Sequence, residues 1–334
     1  MRYHLSTDRR KRTLSDWPTL LTTGSICLLG WASGYLSASG LPLTTTHAVF
    51  PFWEKVFLWM DNQVFVYAIG LIFMLLTAYI IQRISDIQML IRERTKLVFL
   101  IFILLTSTNS GLFPFKDVTV VSLCLVFMVN ELFNTYQTPE ATGRLFNAGV
   151  LIGVAGLFMP QALWFLPLLW IGMYQLMSLS YRSFFASLTG VLIIYWLVIA
   201  WCVWAHDFSI FTMLVARLAD FEFLSVLKSF RYYQTGFIGV LLLMMTASFY
   251  IKSDAINNRV RVRQMLSFLL NMSVWSLVLL CLYGKDTDSF NAIFYIPASV
   301  LIAYFFESMR NRFRFIIYYF VLAFCVFSLI MRDY

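Results

Sequence analysis

Apolar runs of near-helical length recur from Leu20 to Met331, separated by short polar stretches. A run of about 20 apolar residues is long enough to cross a bilayer as a helix. The pattern predicts helices at approximately 20–37, 64–82, 97–113, 118–134, 145–159, 162–179, 184–204, 235–251, 266–283, 289–306 and 315–331. The expected fold class is therefore all-α, a polytopic transmembrane bundle of about eleven spans, formed as a single membrane domain. No long polar segment is left over for a separate soluble domain.

The stretch Arg144–Arg182 organises the pattern. Two apolar arms meet at Met159-Pro160-Gln161, with an arginine at each outer end. Proline lacks an N–H and disfavours helix in the residue before it, so a turn is expected there. An arm of about 15 residues rises only about 22 Å. The hydrocarbon layer is about 30 Å thick. The tip should then lie below the far surface, against protein or a water-filled cavity, because lipid cannot satisfy a bare turn. Gly149 and Gly153 form a GxxxG, with Gly156 further along. Small residues at that spacing let another helix backbone approach closely.

Charge orients the bundle. With the N-terminus in the cytoplasm and alternating spans, the cytoplasmic side receives most of the 25 Lys+Arg. These include the basic tail within 1–18, Arg83 to Lys96, Arg144, Arg182, Lys252 to Arg263, and Arg310 to Arg314. That bias favours an N-in, C-out arrangement. Fusing the short hairpin into one span would invert everything after it. The Arg9-Arg10-Lys11-Arg12 start before an apolar run imitates a signal peptide, but the run is long and the rest is also membranous, so it reads as an uncleaved first span.

The connections carry the polar groups. The first outer loop, 38–62, contains Glu54, Lys55 and Asp61, and its part 50–61 suits a short interfacial helix. The segment 205–234 mixes apolar residues with Arg217, Asp220, Glu222, Lys228 and Arg231, as a helix lying on the outer surface would. The third span turns polar at Thr106–Gly111, where Asn109 needs a partner. Arg259, Arg261 and Arg263 face the cytoplasm, where anionic lipid headgroups are the natural partner.

Composition narrows the classes. The chain is 60% hydrophobic and 13% charged, with a mean hydropathy of +0.76, well away from an ordinary soluble domain. The net charge of +8 follows the alternation of loops rather than a basic, aromatic-interleaved surface, so nucleic acid is not an expected partner. The 5 cysteines are scattered through apolar runs without a CxxC, which disfavours a disulfide frame or a zinc site. No nucleotide-binding glycine loop, haem, zinc or serine-hydrolase motif is present, and no internal repeat of the transporter kind.

Arg92-Glu-Arg-Thr-Lys, the hairpin with Phe146-Asn-Ala-Gly and Leu166-Pro-Leu-Leu-Trp-Ile, and Ile296-Pro297 through Arg312-Phe313 together resemble a family of bacterial polytopic inner-membrane proteins of uncharacterised function. The order of spans is also similar to the GT-C glycosyltransferases. The shared features are an outer loop with an acidic residue, a polar turn between spans three and four, and a short hairpin ending in a proline-rich apolar helix. That resemblance implies sugar transfer from a polyprenyl-phosphate carrier at the outer face of the inner membrane. The first outer loop holds no DD, DE or DxD pair, so a degenerate relative is equally implied.

Candidate chemistry follows. Asp61 and Asp117, with Glu54 and His206 as alternates, are the candidate catalytic groups. A carboxylate at the outer face can act as general base or hold a divalent cation. The ordinary reading of Asp61 and of Asp117 is a helix cap, and it comes before the catalytic one. Lys116, Arg217, Lys228 and Arg231 are candidates for a lipid phosphate, or ordinary snorkelling cations. Asn109 and Pro160 are expected to border the same cavity. Three classes remain open: a GT-C-like enzyme or degenerate relative, a non-catalytic partner in envelope assembly, and a transporter.

Overall fold

The structure is a computed structural model. It describes residues 17–37, 62–91, 95–107, 109, 112, 114–206, 208–221, 235–254, 259–284, 287–308, 318–319 and 322–323. Among these the regular structure is helix, joined by short turns, with no strand. The helices are α1 (Trp17–Ser37), α2 (Gln63–Ile87), α3 (Leu97–Ser107), α4 (Asp117–Phe133), α5 (Thr142–Phe158), α6 (Phe165–Gln175), α7 (Tyr181–Ala205), α8 (Ser209–Ala219), α9 (Thr235–Asp254), α10 (Val260–Leu282) and α11 (Thr287–Ser308). Four of them, α2, α7, α10 and α11, are long and apolar enough to cross a membrane. The expected last span, 315–331, lies almost wholly outside the described residues.

Local chemistry sets the ends. Asn62 caps α2, its Oδ1 accepting from the Val64 N–H at 3.0 Å. Ser180 and Ser183 exchange hydrogen bonds across the first turn of α7, each hydroxyl accepting from the other's N–H at 3.2 and 2.7 Å. At the end of α3, Thr106 and Ser107 donate back to the Ile103 carbonyl, at 3.0 and 2.7 Å, which lets hydroxyls sit in a buried turn. The helix stops there, short of the expected 113. At the other end of α7, His206 takes a left-handed conformation, φ 54°.

α11 is the central post, with 89% of its most apolar window buried, against 28% for α7 at the periphery. It packs on α10, α3, α9 and α4. The α5–α7 contact is the largest between any two helices. Gly149 is covered by the Ser187 backbone and Gly190 by the Phe146 carbonyl, so a Cβ at either position would collide with main chain. This is the close approach expected of the glycine spacing.

The hairpin folds back as expected. Pro160–Trp164 is a 3-10 turn entered through the extended residue Met159. α6 then returns to where α5 began, and the Gln137 N–H donates to the Leu176 carbonyl at 3.0 Å. Met159, Pro160, Gln161 and Ala162 are all buried, so the tip rests on protein. At 17 residues α5 rises about 25 Å.

Two ends of the bundle result. One carries Arg83, Lys96, Arg144, Arg182, Arg259, Arg261 and Arg263. The far end carries Lys116 and Arg217 among its described residues.

Candidate functional site

At the far end, two helix termini bring polar groups together and a third carries a buried carboxylate. Asn109, following α3, donates from Nδ2 to Asp288 Oδ1 at 3.3 Å, joining residues 179 apart in sequence. Asp117 opens α4 and is only 6% exposed. Its place corrects the reading of Asp117 as a cap. Lys116 holds the cap position and Asp117 is the first helical residue, where a carboxylate is favoured by the helix dipole. The Lys116 N–H donates to Thr119 Oγ1 at 3.3 Å.

A second cluster sits on the hairpin tip. The Trp164 indole N–H donates to Tyr283 Oη at 2.8 Å, and Tyr283 Oη donates to the Leu218 carbonyl at 2.6 Å. Trp275 donates to the Trp164 carbonyl at 2.8 Å. Phe221 lies against both rings, 5.2 Å from Tyr283 and 6.3 Å from Trp164. These bonds fix the C-terminal end of α8 over the turn. Burial pushes the Tyr283 phenol above its ordinary value; the Trp164 hydrogen bond opposes this, and the nearby Asp220 charge adds to it.

The residues expected from the sequence are distributed as follows. Asn109, Asp117, Pro160 and Arg217 are at the far end. Asn109 meets Asp288, and Pro160 is buried in the turn. Arg217 lies in the last turn of α8, and its Nη1 is buried without a hydrogen-bond partner among the described residues. His206 ends α7 as a left-handed cap, and its neighbour Asp207 is outside the described residues. Glu54, Asp61, Lys228 and Arg231 also lie outside them. Among the described residues, no three His, Cys, Asp or Glu side chains gather as a metal site.

Two groups escaped the sequence reading. Asp288 and Asn291 stand in the first turns of α11, which begins two residues before the apolar run 289–306. The signal was present: a carboxylate and an amide three residues apart, opening a buried helix.

The opposite end holds its own polar chain. Arg261 donates to Gln88 Oε1, Gln88 Nε2 donates to Asn134 Oδ1 at 2.9 Å, and Arg144 donates to the Asn134 carbonyl at 3.0 Å. Arg261 also stands over the Tyr136 ring, 5.6 Å from its centre. A cavity of about 20 Å³ lies nearby between Ser85, Leu90, Val129, Phe133, Leu269 and Ile296, room for one water.

No family model, curated protein or solved structure matches this chain.

Proposed function

We propose that this chain is a multi-pass protein of the bacterial inner membrane, with its basic end in the cytoplasm. At its far end it acts on a lipid-linked substrate, in the manner of a GT-C glycosyltransferase or a degenerate relative. The observation that carries this reading is Asp117, a carboxylate 94% shielded from solvent, at the same end as the buried hairpin tip and Arg217. In this reading Asp117 takes the proton of an acceptor hydroxyl while Arg217 holds the carrier phosphate. In this reading the amphipathic helix α8, whose C-terminal end is held over the hairpin turn, walls the route of a polyprenyl tail.

The test is the cellular profile of lipid-linked sugars and envelope glycans in strains carrying wild-type, Asp117→Asn or Arg217→Gln protein at equal abundance. The reading expects accumulation of a carrier-linked sugar in both variants. An unchanged profile removes transfer. A non-catalytic role in envelope assembly is then the better reading. It has its own support in the outward face of α7, where Trp196, Trp201 and Trp204 are 70%, 48% and 74% exposed and available to a neighbouring membrane helix.

A further inference from the structure

The first turns of α11 contain a group that the transfer reading does not use. Asn291 is only 3% exposed, and among the described residues its Oδ1 has no hydrogen-bond partner while being shut off from water. Buried acceptors of this kind are normally met by a donor, a water or an ion. Asn291 lies one helical turn after Thr287 and Asp288, so the three share a face. Helix side chains lean toward the N-terminus, so the Asn291 side chain covers the turn that holds Thr287 and Asp288. Thr287 is 9% exposed and Asp288 is half-buried. The Nδ2 of Asn109 steadies Asp288 from the facing helix end.

The grouping offers oxygen acceptors: the Asp288 carboxylate, one of whose oxygens meets Asn109, and the orphaned Asn291 amide oxygen. Several oxygens around one point are the coordination that hard cations take. Charge decides which cation. Among the described residues of this grouping Asp288 supplies the one negative charge, so a monovalent ion leaves it neutral. A divalent ion leaves an uncompensated charge at the edge of an apolar bundle, where such charges are costly. The α11 N-terminus opposes a cation with about half a unit of positive charge, less than the carboxylate supplies. Asp288, half-buried, gives the ion its way in. We infer that Asp288 and Asn291, with Asn109 positioning the carboxylate, bind a monovalent hard cation of the sodium type at the far end of the bundle.

The site is independent of sugar transfer, and the test reads binding alone. The full-length protein, purified in detergent, is melted in sodium chloride and in N-methyl-D-glucamine chloride at equal ionic strength. The expected result is a saturable rise in Tm with sodium that the organic cation does not reproduce. Asp288→Asn loses that rise. Asn291→Asp, which adds a second carboxylate without changing the side-chain length, moves the preference to magnesium or calcium. Equal melting in the two salts overturns the proposal, as does a sodium response of wild-type size in Asp288→Asn. A wild-type protein stabilised more by magnesium than by sodium overturns the charge argument. Should Asp288→Asn fail to fold, the ion preference of Asn291→Asp decides alone, and an unchanged preference counts against the site. A sodium response with an unaltered glycan profile keeps this site and removes the transfer reading.

Discussion

Tyr283 holds together three parts of the chain with one hydroxyl. Its Oη accepts from Trp164 and donates to the Leu218 carbonyl. Tyr283→Phe strands an indole N–H and a carbonyl while keeping the ring stacked on Phe290. Both groups are only partly shielded from water, so the loss sits at the low end of the hydrogen-bond range, about 1 kcal/mol. The expected outcome is a lower Tm in detergent, with faster amide exchange concentrated in 209–219. Exchange that rises evenly over the whole chain would show that α8 is not held by this bond. No local pattern in the sequence announces the pair, because Trp164 and Tyr283 are 119 positions apart. Asn109 was legible only in part. Its polarity in an apolar run demanded a partner, but nothing nearby in sequence named Asp288. Asp117 was legible as a helix-starting carboxylate, and its depth of burial was not, since burial depends on what the other helices place around it.

The hairpin helices show what a sequence pattern fixes at the scale of an element. Glycine spacing in α5 indicated a close helix contact, and α7 makes it. The two glycines face different obstacles. A Cβ at Gly149 meets the Ser187 main chain, which cannot move without shifting α7. A Cβ at Gly153 meets the Ile194 side chain at 3.1 Å and the Val191 Cα at 3.4 Å. Gly153→Leu should destabilise by about 1–3 kcal/mol through overpacking, and Gly149→Leu by more. Thermal unfolding of the two variants in detergent checks the order. A Gly149→Leu protein as stable as wild type would mean that the helices separate freely. Helix limits were less legible than helix existence. The apolar run of α2 ends near 82, yet the helix continues to Ile87 because Gln82 donates to both Asp86 Oδ1 and the Thr95 carbonyl, at 2.9 and 2.8 Å. Polar residues bonded to one another and to the next connection extend a helix that hydropathy alone would stop.

For the molecule as a whole, the two described ends differ in charge, and the proposed orientation rests on that difference. In a background with the native cysteines replaced, Lys116→Cys should react with an impermeant thiol reagent added from outside. Arg259→Cys should react only after permeabilisation. The reverse pattern would place the basic end outside, against the positive-inside bias. The alternation of basic and polar connections made this polarity readable from the sequence. Which helix occupies the middle was not readable, since α11 is no more apolar than its neighbours. Its window has a hydropathy of 1.6, against 2.5 for α2 and 2.1 for α7 and α10.

That difference bears on how the protein is made. α11 is the least oily of the long helices and the one least in touch with its surroundings, and it carries Asp288, Asn291 and Pro297. A nascent helix of that kind partitions weakly into lipid by itself. Its stable place exists only once α3, α4, α9 and α10 have enclosed it. Among the described helices α11 is therefore a keystone: only when it is seated does a loose set of helices become one packed bundle.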